Sequence, residues 1–201
     1  MSHLAYILIL CSISFLTGAI PSGYLLVSKF KRIDIRTVGS GNIGSTNVRR
    51  AAGNRLALAT QFIDILKGCI TVLIAFIIEN HFWNDSNSET ILSLIALLTI
   101  LGHDFSPFLF FKGGKGVNTS IGAFIVIAPI PVLIGIMIYY LTRLFTPIVS
   151  IRSITLGISL PVTAFLLNSN HSIVISLCLA ALLILLRHHT NINRLFHGLE
   201  T

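Results

Sequence analysis

Charge is the scarcest feature of this sequence. Asp, Glu, Lys and Arg make up 10% of its 201 residues, against about a quarter in a soluble domain. Hydrophobic residues make up 54%, and the mean hydropathy is +0.87. So little polar surface cannot cover a water-soluble globule of this size, which excludes a typical cytosolic enzyme and a disordered chain. Cysteine is sparse too. Cys11, Cys69 and Cys178 lie inside apolar runs. They are odd in number and lack CxxC spacing, so neither a disulfide framework nor a cysteine metal site is expected. Acidic residues number 7 against 14 basic ones, a formal net charge of +7. The basic stretches are Gly-rich and without interleaved aromatics, so nucleic acid is not an expected partner. In a membrane protein the same excess marks cytoplasmic loops, or an anionic substrate.

Long apolar runs take the place of the missing charge. A helix needs about 20 apolar residues to cross the ~30 Å hydrocarbon core. Leu4–Ser28 has no charged residue, no basic leader and no clear small-residue cleavage site. It reads as a retained transmembrane helix rather than a signal peptide. Leu56–Ile78, Thr90–Phe108, Val117–Leu141, Ser153–Asn168 and Ser172–Leu186 follow. The last two are short and separated by the turn-like Asn168-Ser169-Asn170-His171, so they read as a tight helical hairpin.

Lysine and arginine set the expected sidedness. Lys29, Lys31, Arg32, Arg36, Arg49, Arg50 and Arg55 crowd one loop, and Glu79–Glu89 has neither residue type. Lys112 with Lys115, Arg143 with Arg152, and Arg187 with Arg194 mark three further cytoplasmic segments. Both ends of Val117–Leu141 then face the cytoplasm, so one span has the wrong parity. Pro129 and Pro131 interrupt its middle, where proline breaks a helix. Two helices are expected there, the second reaching about Thr146. The expected fold is all-α: a polytopic integral membrane protein of seven transmembrane helices, N-terminus outside and C-terminus cytoplasmic, with residues 1–201 as a single domain. Six helices would leave Arg187, His188, His189 and Arg194 outside, against the charge rule.

Four polar motifs interrupt the apolar background. Gly39-Ser40-Gly41-Asn42-Ile43-Gly44-Ser45-Thr46-Asn47 contains a formal GxGxxG. It lacks the preceding strand and βαβ unit that a dinucleotide site requires, so that reading is rejected. Its glycines still let the backbone approach an anion and present N–H groups to it. Ser40, Thr46 and Asn47 add polar side chains, and Arg49 or Arg50 adds charge. A flexible solvated loop is the plain alternative. Lys112-Gly113-Gly114-Lys115-Gly116 is not a Walker A motif. Three glycines and two lysines ahead of an apolar helix nevertheless suit a phosphate. A positive-inside turn would explain the lysines and not the glycines.

The other two motifs are smaller. Asp64 and Lys67 are three apart, on one face of an apolar span. Ionisable groups in a membrane segment are costly, so they read either as an ion pair facing the bundle or as substrate contacts. In the tail, His188 and Asn191 share a face if the last helix continues past Leu186. A histidine there can hold phosphate or exchange a proton, while a basic interfacial cap is the plainer reading. The phosphate-holding role is favoured, because no carboxylate is evidently placed to orient the imidazole as a base. Ser150 and Ser153, beside Arg152, form a lesser cluster of the kind that usually caps a helix. No residues have the spacing of a metal site.

These segments resemble the bacterial acyl phosphate:glycerol-3-phosphate acyltransferases, the PlsY family. The resemblance rests on Ile20-Pro21-Ser22-Gly23-Tyr24, on Asp34-Ile35-Arg36 with Gly39–Asn47, and on Asp64-Ile65-Leu66-Lys67-Gly68. It continues through Leu101-Gly102-His103 with Phe105–Val117, and Arg187-His188 with Asn191-Ile192 and Arg194. The order is the family's, over nearly the whole chain. It implies transfer of a fatty acyl group from acyl phosphate to the sn-1 hydroxyl of glycerol 3-phosphate, giving lysophosphatidic acid. It implies no acyl-CoA or acyl carrier protein donor, no metal and no other cofactor. The implied setting is seven helices in the bacterial inner membrane, with the active site facing the cytoplasm. The implied partners are the two substrates, the lipid bilayer and, as a candidate, the enzyme that makes acyl phosphate.

By motif position the resemblance implies a catalytic set of Ser40, Arg50, Lys115, His188 and Asn191. The expected substrate phosphate-binding set is Gly39, Gly41, Asn42, Thr46, Asn47, Gly113, Gly114, Gly116, Ser153 and Lys67. Asp64 and Glu200 are expected to be structural. Ser45 and Asn118, each where Ala is usual, and Ile148, His189 and Thr190 depart from the family's pattern without removing an expected phosphate contact. An acyl phosphate has a good leaving group, so positioning and charge stabilisation should dominate, with no acyl-enzyme. Ser40 is expected to bind phosphate rather than attack. The glycerol proton goes to His188 or to a substrate phosphate. The rival reading is a transporter or channel for a small organic anion, against which counts the absence of basic residues in Glu79–Glu89.

Overall fold

The structure is a computed structural model that describes residues 3–83 and 88–200. Among the described residues there are ten α-helices and no strand. They are α1 (His3–Ala19), α2 (Ser22–Lys31), α3 (Ser45–Ala52), α4 (Asn54–Ile78), α5 (Ser88–Asp104), α6 (Val117–Ile125), α7 (Pro129–Thr142), α8 (Val149–Leu166), α9 (His171–Arg187) and α10 (His189–Phe196). A π-helical turn, Glu79–Trp83, extends α4. Of the expected outer segment Glu79–Glu89, residues 84–87 lie outside the described residues.

Proline explains two breaks. The apolar run of residues 4–28 is not one uninterrupted helix. Pro21, at φ −89° and ψ 73°, leaves the helical region and starts α2. The run of residues 117–141 does divide, with Pro129 in the first turn of α7. A proline there removes no helical hydrogen bond, because first-turn N–H groups have no partner within the helix. The glycine-rich loop of residues 39–47 is also less open than expected, since its last residues wind into α3.

Among the described residues four helical segments are long and apolar enough to cross a membrane: His3–Lys31, Asn54–Phe82, Ser88–Leu109 and Val149–Leu166. α9 and α10 reach that length and hydropathy only when taken together, and they are bent by 55° at their junction. α6 has 9 residues and α7 has 14. At 1.5 Å per residue each is shorter than the ~30 Å hydrocarbon core.

α1 packs on α5, α4 on α6, and α8 on both α7 and α9. The α4–α6 contact depends on missing side chains. A methyl group at Gly122 would lie 1.9 Å from the Ile65 carbonyl oxygen, and one at Gly68 would lie 2.5 Å from that of Thr119. Small residues let helices approach in this way where the apolar solvent supplies little drive to associate. Ile95, Ile100, Phe124, Leu156 and Leu177 fill the main core. Leu8, Phe62, Ile77, Leu133 and Phe165 are exposed, as the lipid-facing side of a bundle requires. A smaller cluster of Val27, Ile35, Ile43, Val48 and Leu109 fixes the 39–47 loop and α3 beside α4.

Candidate active site

All four polar motifs reach one cavity of about 300 Å³. Ser40, Thr46 and Arg50 come from the first loop and α3, Lys115 and Gly116 from the second loop, and Ser150 and Ser153 from α8. The tail supplies His188, Asn191 and Glu200, while Asp64 and His103 reach it from α4 and α5.

Asn47 organises the first loop. Its side chain is buried, accepts from the Ser40 N–H at 3.0 Å, and donates to the Val38 and Asn42 carbonyls at 2.9 Å each. The Asn42 side chain accepts from the Gly44 N–H at 2.8 Å. Gly39 and Gly41 have φ of +60° and +70°, a left-handed backbone that glycine adopts without strain. These two glycines turn the chain and are not among the residues that line the cavity. Asn42 and Asn47 do line the cavity, with side-chain groups already engaged in the loop. Of the two arginines left open by the sequence, Arg50 lines this cavity and Arg49 the groove beside it.

In the second loop two glycine amides bond within the protein. The Gly113 N–H donates to the Asp104 carbonyl at 3.2 Å, and the Gly114 N–H to the His103 carbonyl at 2.9 Å. Both amides therefore finish α5 instead of facing an anion. A methyl group at Gly114 would lie 1.9 Å from His103 Nε2, so close packing is what demands glycine. Arg187 fixes the other side, donating from Nε to the Gly114 carbonyl at 2.9 Å and from Nη2 to that of Gly113 at 3.0 Å. Lys115 and Gly116 are left on the wall.

α9 does not continue through the tail motif. His188, at φ −98° and ψ 8°, ends it. The 55° bend, rather than a shared helical face, brings His188 and Asn191 to the same cavity. Lys115 Nζ donates to Asn191 Oδ1. Asn191 Nδ2 donates to Glu200 Oε1 at 2.5 Å, Ser150 Oγ donates to the same oxygen at 3.0 Å, and Arg194 Nε donates to Glu200 Oε2 at 2.7 Å. Glu200 thus ties the tail to α8 and α10. Burial opposes its charge, but the bonds from Asn191, Arg194 and Ser150 prevail and hold its carboxyl below the usual value.

Electrostatics set two protonation states. Burial pushes the Lys115 ammonium down to about 8, with Glu200 opposing the shift and Arg194, Arg187 and Arg50 adding to it. Burial and then the Lys115 charge push His188 down to about 4. Its Nδ1 lies 2.8 Å from the Ile184 carbonyl. A carbonyl only accepts, so Nδ1 carries the proton and neutral Nε2 keeps its lone pair. The imidazole is oriented by a backbone carbonyl, not by the carboxylate that the sequence lacked.

Lys67 is placed in a different network. Its Nζ meets Asp64 Oδ1 at 3.0 Å, the Ile20 carbonyl at 2.9 Å and His103 Nδ1 at 2.8 Å. Ser22 Oγ donates to Asp64 Oδ1 at 2.7 Å. These contacts occupy all three ammonium protons, and Lys67 is absent from the cavity lining. In this structure Lys67 closes the break at Pro21. His103, Gln61 and Tyr139 also line the cavity and were not among the expected site residues. Only His103 carried a signal, as an ionisable group inside an apolar run. Among the described residues no group of three His, Cys, Asp or Glu side chains is placed to hold a metal ion.

A sequence profile of the family described as glycerol-3-phosphate acyltransferase matches residues 8–198. The chain belongs to this family. It is 47% identical to the glycerol-3-phosphate acyltransferase of Clostridium acetobutylicum over 194 residues, covering 96% of this chain and 98% of that one. The corresponding protein of Endomicrobium trichonymphae is 43% identical over 188 residues, covering 94% and 91%. The fold matches the crystal structure of PlsY, an integral membrane glycerol 3-phosphate acyltransferase, in its glycerol 3-phosphate form. The TM-score is 0.88 at 36% identity, covering 98% of this chain and 94% of that one. The lysophosphatidic acid form of PlsY matches with a TM-score of 0.86 at 35% identity, with the same coverage. The chain is thus a multi-pass membrane acyltransferase of the PlsY family.

Proposed function

We propose that the protein transfers a fatty acyl group from acyl phosphate to the sn-1 hydroxyl of glycerol 3-phosphate. The products are lysophosphatidic acid and inorganic phosphate, and no cofactor takes part. The reading is carried by the convergence of Ser40, Arg50, Lys115, His188 and Asn191 on one cavity. The names and bound states of the similar proteins support its acceptor.

Arg50 and Lys115 supply positive charge to substrate phosphates, and the Ser40, Thr46 and Ser153 hydroxyls bond their oxygens. Asn191 holds the Lys115 ammonium in place, and Gly116 lets the start of α6 approach the substrate. Gly39, Gly41, Asn42, Asn47, Gly113 and Gly114 shape the two loops. Asp64 with Lys67, and Glu200, are structural. The glycerol hydroxyl oxygen attacks the acyl carbonyl carbon. The bond from that carbon to the phosphate oxygen breaks, and phosphate leaves with the electron pair. Neutral His188 accepts the hydroxyl's hydrogen bond at Nε2, and the proton ends on the departing phosphate, directly or through that nitrogen. This replaces the phosphate-holding role favoured from the sequence, because a neutral Nε2 has a lone pair and no proton to offer a phosphate. Positioning and charge do most of the work.

The proposed setting is the bacterial inner membrane, with residues 1–201 as one domain. Seven helices cross it, the N-terminus is outside, and the C-terminus and cavity are cytoplasmic. The division of α6 from α7 supports the count. Arg50, Lys115 and Arg143, near the cavity or the adjoining groove, support the sidedness by the positive-inside rule. The enzyme that makes acyl phosphate is the candidate protein partner. Incubating the purified protein with both substrates and measuring lysophosphatidic acid tests the reading, and also separates it from an anion transporter, which would form none.

A further inference from the structure

A groove of about 740 Å³ adjoins the cavity and shares Ser45, Thr46, Gln61, Tyr139, Tyr140 and Val149 with it. It is walled by the start of α4 on one side and by the connection from α7 to α8 on the other. Its lining holds three arginines, Arg49, Arg143 and Arg152, and no carboxylate. None of the three forms a salt bridge among the described residues.

Arg152 is the most telling of them. It is 8% exposed. Its guanidinium stacks 4.1 Å over the Tyr139 ring, and its Nε donates to the Tyr139 carbonyl at 3.4 Å. A guanidinium has five N–H donors in a fixed fork, and this one has a single hydrogen-bonded acceptor among the described residues. A buried cation without a counter-ion is costly, and a cleft lined by one sign of charge concentrates the opposite ion. The groove is built for an anion.

The rest of the lining says which kind. Leu58, Leu144 and Phe145 line the same groove and are 66%, 77% and 88% exposed. An anion that also satisfies these side chains carries an apolar tail. The shared wall with the cavity gives that ligand a way to the reacting groups, which a bystander lipid does not need.

We propose that this groove is a staging site for the acyl phosphate donor, where Arg143 and Arg152, with Arg49, hold its phosphate before the acyl carbonyl moves into the cavity. The proposal rests on acyl phosphate being the donor. It places a second phosphate site outside the one formed by Arg50 and Lys115.

The test compares wild type with Arg143→Gln, Arg152→Gln and the double variant, and uses Arg143→Lys as the conservative control. With a long-chain acyl phosphate in neutral detergent, each Gln variant should lower kcat/KM for the donor by about tenfold, the scale of one lost charge-assisted hydrogen bond. The KM for glycerol 3-phosphate should stay within about twofold of wild type, and Arg143→Lys should recover most of the loss. A short-chain, water-soluble acyl phosphate should show little defect, because it has no long tail for Leu58, Leu144 and Phe145 to hold and reaches the cavity directly from water. Dodecyl phosphate, which has a tail and a phosphate but no transferable acyl group, should bind the double variant at least tenfold more weakly by calorimetry. That arm reads the groove whatever the donor is. Wild type inactive with acyl phosphate would overturn the functional reading while dodecyl phosphate still tests the groove. Unchanged dodecyl phosphate binding, or equal losses for both substrates, would overturn the staging site. A defect that instead follows the phosphatidylglycerol content of phosphatidylcholine vesicles, with donor KM unchanged, would assign the groove to bilayer phospholipid and also overturn it. Melting curves of the same samples exclude unfolding, and Arg143, which is exposed, keeps the test open if Arg152→Gln does not fold.

Discussion

Arg187 donates from Nε to the carbonyl oxygen of Gly114 at 2.9 Å, and the residue after Gly114 is Lys115. The last turn of α9 therefore holds the loop that carries Lys115, one of the cavity's two cations beside Arg50. Arg187→Gln should lower kcat/KM by about tenfold or more through loss of two charge-assisted bonds, and Arg187→Lys should restore part of it. Gly114→Ala should be harsher, because its methyl group meets the His103 ring. Steady-state kinetics beside melting curves check this. Activity that falls only in proportion to the folded fraction would refute a positioning role for Arg187.

The same loop shows how far the sequence could be read. Glycines between lysines suggested an anion cradle, since a residue without Cβ exposes its N–H. The absence of Cβ serves close packing equally well, and nothing local tells which way an N–H points. Here Gly113 and Gly114 point theirs at α5. Lys115, His188 and Asn191 were legible because polar residues stand out in an apolar chain, although a bend rather than a helical face unites the last two. The Pro129 break was legible from charge parity. The Pro21 break was in view but masked by an uncharged run. The groove of Arg143 and Arg152 was not legible, because α4 and the connection from α7 to α8 are distant in sequence and meet only in the fold.

Lys115→Ala should remove nearly all turnover, by about a hundredfold to a thousandfold, the scale of losing a preorganised charge in a water-poor site. The variant should stay folded and inserted, because Asn191 and Glu200 keep their bonds to each other and to Ser150 and Arg194. Near-normal turnover in purified, folded Lys115→Ala would remove this lysine from the chemistry.

Lys115, and not His188, shapes the pH profile around neutrality. Lys115 is charged below its value of about 8 and loses its proton as pH rises through it. kcat/KM, which reports the free enzyme, should therefore fall above about 8, and Lys115→Arg should abolish or raise that limit in whatever activity it keeps. His188 is neutral above about 4, so no rising limb from it should appear near neutrality. His188→Gln should lower kcat across the neutral range without changing the profile's shape. A limb near neutrality that vanishes in His188→Gln would show the imidazole titrating where the geometry keeps it neutral.

The topology has its own measurement. With Cys11, Cys69 and Cys178 replaced, single cysteines at Ser86, Lys112 or His197 should differ in reaching an impermeant thiol reagent. In intact cells only the Ser86 position should react, with the other two reacting after the membrane is opened. External labelling at His197 would mean six helices and an outside tail.

The most direct measurement is product formation by the purified wild-type protein from a long-chain acyl phosphate and glycerol 3-phosphate. Acyl transfer from acyl phosphate predicts one lysophosphatidic acid and one inorganic phosphate per turnover, with the acyl group on the sn-1 oxygen and no added metal required. Lysophosphatidic acid formed from acyl-CoA or acyl carrier protein but not from acyl phosphate, or none from any donor, would contradict it.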